Sequence, residues 1–75
     1  MATNTLYVSD DCGACKTVKY MLDKLGIDYE VKNVSNKSYE AEMLKLTGVT
    51  TTPVFVKSEH TVIGGNLVAI KKLVS

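Results

Sequence analysis

Two cysteines three residues apart, in the stretch Asp10-Asp11-Cys12-Gly13-Ala14-Cys15-Lys16, are the side chains best suited to chemistry. The apolar run Leu6-Tyr7-Val8 precedes them and reads as a strand. After them Val18, Met21, Leu22 and Leu25 recur at i, i+3, i+4 and i+7, one apolar face of a helix. The C-x-x-C therefore falls where a strand hands over to a helix. Unpaired N–H groups and a partial positive charge gather in the first turn of a helix. A thiolate held there is stabilised, and its pKa falls below the roughly 8.5 of a free cysteine. The second cysteine, one turn on, is near enough to close a disulfide, so the pattern points to a dithiol that cycles. Two other readings use the same residues. One is half of a zinc site, with Cys12, Cys15 and His60 short of the usual four ligands unless two chains share it. The other is a static disulfide, although a bridge across one turn closes too small a loop to staple a fold well.

Local charge around Cys12 is mixed. Asp10 and Asp11 oppose thiolate formation, whereas Lys16 and Lys19 favour it.

The elements that must hold these residues follow in order. Thr3–Val8 reads as a buried first strand and Gly13–Leu25 as a helix stopped by Gly26. In Ile27–Val34, Ile27, Tyr29 and Val31 alternate with charged residues, which predicts an edge strand. Ser38 is the expected N-cap of a second helix over Tyr39–Thr47, with Glu40 and Glu42 in its first turn and Tyr39, Met43, Leu44 and Leu46 on its apolar side. A loop from Gly48 to Pro53 leads to a strand, Val54–Lys57. Ser58-Glu59-His60 reads as a hairpin turn before a strand at Thr61–Ile63. His60 is expected to be a solvated turn residue. Asn66 can cap a last helix whose apolar positions are Leu67, Ile70, Leu73 and Val74.

The order β-α-β-α-β-β-α predicts an α/β fold. Strands flanking a helix should be parallel through a right-handed crossover, and the final hairpin antiparallel. The result is a four-stranded mixed sheet flanked by three helices.

Composition bounds the function. The chain has 75 residues, enough for one domain over 1–75. Hydrophobic residues make up 45% and charged residues 23%, ordinary globular values. Nine lysines, no arginine and a net charge of +1 make no basic patch suited to nucleic acid. No apolar run approaches the ~18 residues of a membrane helix, and no secretory leader is visible. The expected setting is the cytoplasm, where a cysteine pair is catalytic more often than structural. A monomer is expected.

Two further signals carry function. Pro53, the sole proline, opens a strand. A cis Thr52-Pro53 bond would turn the backbone of Thr52 outward to pair with an extended partner, and a trans proline at a strand start is the alternative. Gly64-Gly65 before a helix lets a ligand approach backbone N–H groups, or forms a plain tight turn.

Leu6-Tyr7-Val8 before Cys12-Gly13-Ala14-Cys15, then Thr51-Thr52-Pro53-Val54-Phe55-Val56, then Ile63-Gly64-Gly65 stand in the order found in glutaredoxins. The chain resembles that family, within the thioredoxin-fold superfamily, over nearly its whole length. The resemblance implies a thiol–disulfide oxidoreductase serving electron transport and cell redox homeostasis. It implies a cis bond before Pro53, Cys12 as nucleophile and Cys15 as resolving thiol. Glutathione, as a candidate reductant with no bound cofactor, would contact the backbone of Thr52 and the Gly64, Gly65 and Asn66 turn.

Three positions depart from the family. Ser9 stands where a lysine is usual, Gly13-Ala14 where a Pro-Tyr type pair is usual, and Asn66-Leu67-Val68 where an acidic residue is common. They bring in a second kind of relative, a redoxin that donates electrons to ribonucleotide reductase and is recharged by thioredoxin reductase. Some members of the family instead hold an iron–sulfur cluster between two subunits.

Overall fold

A central strand with three consecutive buried residues organises the molecule. In β1 (Asn4–Val8), Leu6, Tyr7 and Val8 are all buried, because helices cover both faces of the sheet. The structure, a computed structural model of the chain, describes residues 4–49, 51–57 and 60–74. The elements that follow are α1 (Gly13–Lys24), β2 (Glu30–Asn33), α2 (Lys37–Thr47), β3 (Val54–Lys57), β4 (His60–Ile63) and α3 (Leu67–Val74). Strand order is β2-β1-β3-β4. β1 runs parallel to β2 and antiparallel to β3, which pairs antiparallel with β4. The sheet is mixed and in the thioredoxin-fold order, as expected, but strands on either side of a helix are parallel only for β1 and β2. β3 runs antiparallel to β1 and so to β2, because α2 returns the chain to the far side of β1 in the opposite direction.

Alternation along β1 and β3 divides the interior in two. Leu6, Val8 and Phe55 point to one face, where Cys15, Val18 and Leu22 of α1 and Ile70 of α3 cover them. Tyr7 and Val54 point to the other, where Met43 of α2 packs on them. Each fully buried aliphatic or aromatic side chain stabilises the fold by about 1.5–3 kcal/mol. The α1 and α3 face, with Leu6, Val8, Val18, Leu22, Phe55 and Ile70 against Tyr7, Met43 and Val54 on the other, holds most of that energy.

Four further expectations need correction. α2 starts at Lys37 and its N-cap is Asn36, whose Oδ1 accepts the Ser38 N–H at 2.9 Å. Ser38 lies inside the first turn. β2 is only four residues long. Ile27 and Tyr29 before it pack against the larger core, and Val31 within it is 42% exposed at the sheet edge. On α2 only Met43 is buried, while Leu44 and Leu46 face solvent. His60 is the first residue of β4, paired with Lys57, rather than a turn residue. The rest of that turn, Ser58 and Glu59, lies outside the described residues.

Helix ends behave as their chemistry requires. Gly48 ends α2 at φ 75°, a left-handed conformation that a glycine adopts without steric cost. Asn66 Oδ1 accepts the Ala69 N–H at the start of α3, as expected. Lys57 Nζ donates to the Leu73 carbonyl at 2.9 Å, placing a cation at the negative end of α3.

Candidate functional site

Cys12 is the N-cap of α1. Its backbone is extended, with φ −111° and ψ 99°, so the side chain turns back over the first helical turn. Its Sγ accepts the Cys15 N–H at 3.0 Å. This is the contact a thiolate needs, because a backbone N–H and the helix dipole both favour negative charge there. No acidic residue lies within the first turn of α1 to oppose it.

Cys15 faces inward. It is 2% exposed, enclosed in the α1 and α3 core, and joined to Cys12 by a disulfide with Cα atoms 5.2 Å apart. The two sulfurs are therefore unequal. Cys12 is half-buried and reachable from outside, whereas Cys15 is reachable only through Cys12.

Three turns surround the pair, all at one end of the sheet. Register places Tyr7, Val54 and Ile63 side by side at this end, and Asn4, Lys57 and His60 at the other. His60 is therefore separated from the cysteines by the length of the strands. Among the described residues no three His, Cys, Asp or Glu side chains are grouped to hold a metal.

Asp10 anchors the turn before Cys12. Its carboxylate accepts from Asn33 Nδ2 at 2.8 Å and from Ser35 Oγ at 2.9 Å. Those bonds hold its pKa below the ordinary carboxylate value and tie the β1–α1 turn to the end of β2. A neighbouring negative charge is thus engaged by neutral donors of its own.

The second turn carries Thr52 and Pro53. The bond between them is cis and Pro53 is buried. Thr52 Oγ1 shares a hydrogen bond with Ser9 Oγ at 2.9 Å, across 43 residues of sequence. Ser9 directly follows β1, so this bond joins the loop that leads to Cys12 with the loop that leads to Pro53.

In the third turn, Gly64 sits at φ 85° and its N–H donates to the Pro53 carbonyl at 2.8 Å. Gly65 is small for a different reason. A Cβ placed on it would lie 3.2 Å from the Cβ of Ala14, between the two cysteines. The turn before α3 therefore packs directly on the C-x-x-C turn. Sequence reasoning missed the Ser9–Thr52 bond, the Asp10 anchors and the Ala14–Gly65 contact. Each joins residues far apart in the chain, and no local pattern marks such pairs.

Comparison with known proteins agrees with this geometry. The family model for glutaredoxin matches residues 4–61. The chain is 31% identical to the glutaredoxin-like protein NrdH of Escherichia coli over 55 residues, 73% of this chain and 68% of that protein. Among solved structures, glutaredoxin grx-1 of Archaeoglobus fulgidus superposes with a TM-score of 0.89 at 28% identity, covering 99% of this chain and 87% of that one. The NrdH-redoxin of Escherichia coli, described as a glutaredoxin-like protein with a thioredoxin-like activity profile, superposes with a TM-score of 0.80 at 28% identity. That match covers 93% of this chain and 92% of the redoxin. With an N-capping cysteine, a buried second sulfur, a cis bond before Pro53 and a matching family model, the chain belongs to the glutaredoxin family of thiol–disulfide oxidoreductases.

Proposed function

We propose that the protein is a dithiol electron carrier for disulfides on other proteins, with Cys12 as nucleophile and Cys15 as resolving thiol. The supporting observation is the inequality of the two sulfurs, one capping α1 within reach of a partner and the other enclosed behind it.

In the reduced protein the Cys12 thiolate attacks one sulfur of a partner disulfide. The partner S–S bond breaks, a mixed disulfide forms, and the other partner sulfur leaves as a thiolate and takes a proton. The Cys15 thiolate then attacks Cys12 Sγ. The mixed disulfide breaks, the Cys12–Cys15 bond forms, and the second partner sulfur leaves and takes a proton. Two electrons and two protons pass to the partner.

Electrons return through a reductase of the thioredoxin reductase kind rather than through glutathione. Glutathione carries a charge at each end, and the positions that would meet those charges are neutral here. Ser9 is bonded to Thr52, and Asn66 is engaged as the α3 cap. Each missing charge-assisted contact removes about 1.5–3 kcal/mol of affinity. The thioredoxin-like activity profile of the Escherichia coli NrdH-redoxin supports the same reading, and ribonucleotide reductase, the partner implied by the resemblance to redoxins of that kind, is the first target to test. Among the described residues no helix is long and apolar enough to cross a membrane.

The experiment offers the oxidised protein two reducing systems, NADPH with thioredoxin reductase and glutathione with its reductase. Faster reduction by the first supports this account. Turnover with glutathione alone would replace it with the glutathione-dependent one.

A further inference from the structure

We propose that Ser9 is a positioning residue for this reaction, holding the backbone of Thr52 in register with Cys12 so that an extended disulfide-bearing peptide is aligned for attack. The inference rests on the disulfide-reducing role proposed above. Three observations carry it. Ser9 and Thr52 are half-buried, so their hydroxyl–hydroxyl bond at 2.9 Å is partly shielded from competing water. Ser9 lies three residues before Cys12, on the loop whose path sets where that sulfur sits. Among the described residues nothing hydrogen-bonds the backbone N–H or C=O of Thr52.

An unpaired backbone edge beside a nucleophilic sulfur is a place for a partner's main chain to add as a short strand. Such docking helps only if the edge and the sulfur keep a fixed separation, because attack requires the sulfurs in line. Asp10 fixes the same loop on its β2 side, and nothing but Ser9 ties it by a side-chain bond to the Thr52 side among the described residues. Ser9 touches neither the reacting sulfurs nor the partner, and acts through Thr52.

The test is single-turnover oxidation of pre-reduced protein by two disulfides. One is a disulfide-linked dimer of a short extended peptide. The other is hydroxyethyl disulfide, which has no peptide backbone to pair. Ser9→Ala raises the half-saturating concentration of the peptide disulfide about fivefold, the size of one net hydrogen bond. It leaves the limiting rate and the rate with hydroxyethyl disulfide within about twofold of the unaltered protein, a bound set by the same interaction. Ser9→Thr, which keeps the hydroxyl, restores the original value. Thr52→Val reproduces the Ser9→Ala effect from the other side of the bond, and the double variant is no worse than either single one. An unchanged half-saturating concentration in Ser9→Ala overturns the proposal, as do additive effects or equal slowing with both disulfides. If the unaltered protein oxidises with neither disulfide, the disulfide-reducing role falls and this proposal falls with it. If it reacts with both and Ser9→Ala matches it, only the positioning role is lost.

Discussion

On one face of the sheet, α1 and α3 cover Leu6, Val8, Val18, Leu22, Phe55 and Ile70, and Cys15 is part of that apolar packing. On the other, Met43 of α2 is buried against Tyr7 and Val54, and a charged network completes the contact. There Tyr7 Oη and Lys32 Nζ both donate to Glu42 Oε1 at 2.6 Å. Lys32 also lies over the rings of Tyr7 and Tyr39, at 5.9 and 5.5 Å from their centroids. One face is secured by exclusion of water, the other by groups that titrate. Redox chemistry is built into the first and pH sensitivity into the second. Cys15 lies on the face of the sheet away from those titrating groups.

Changing the two sulfurs gives the largest effect. Cys12→Ser abolishes disulfide reduction, because the reachable nucleophile is gone. Cys15→Ser leaves the first attack intact and accumulates a mixed disulfide with the partner, detected as added mass by intact-protein mass spectrometry. Equal and mild losses in both variants would remove the distinction between outer and inner sulfur.

Truncations in the two cores come next. Phe55→Ala on the large face should cost about 3–5 kcal/mol, read from the denaturant midpoint, since it empties a fully buried aromatic site. A chain of 75 residues has only about 4–11 kcal/mol to lose. Leu44→Ala on the outer side of α2 should change stability by less than about 0.5 kcal/mol. A large loss there would mean that α2 buries more than Met43.

The charged network gives a smaller effect with a pH signature. Lys32 and Tyr7 hold the Glu42 carboxyl below its ordinary 4.5. Its stabilisation is therefore complete above that value and is lost as pH falls through the depressed one. Burial and Glu42 push Tyr7 above its ordinary 10.0, and Glu42 raises Lys32 above 10.5. Their contributions hold below those values and disappear as pH rises through the raised ones. Glu42→Gln should thus lower the melting temperature at neutral pH by the equivalent of about 0.5–1 kcal/mol, a partly exposed pair being worth no more. The two melting curves should converge in acid. Curves that stay parallel through acid would show that the carboxylate charge is not what Glu42 contributes.

The smallest effect sharpens the site side of the comparison. Gly65→Ala should press on Ala14 and slow disulfide exchange modestly, and the added change Ala14→Gly should restore it. Failure of that restoration would show that Gly65 is required for something other than the C-x-x-C contact.

Much of this was legible from sequence because it is local. The strand–C-x-x-C–helix handover, the Asn66 cap and the element order all rest on periodicity or on one residue's own chemistry. What was hidden depends on competition or distance. Ser38 has the chemistry of a cap, but Asn36 two residues earlier takes that place, its Oδ1 accepting the Ser38 N–H, and α2 starts two residues before the expected Tyr39. Ile27 and Tyr29 alternate like a strand, but they serve the α1 side of the core, and the Tyr29 hydroxyl donates to Asp23 of α1 at 2.9 Å. Leu44 and Leu46 look like core, yet of the residues on α2 only Met43 is buried and both leucines stay exposed.

The most direct measurement is the pH profile of alkylation at each cysteine of the reduced protein, with the modified residue identified by mass spectrometry. The account predicts that Cys12 is modified first and stays reactive well below the roughly 8.5 at which a free cysteine titrates, with Cys15 protected throughout. Equal modification of both sulfurs, or a Cys12 that reacts only where a free cysteine does, would contradict it.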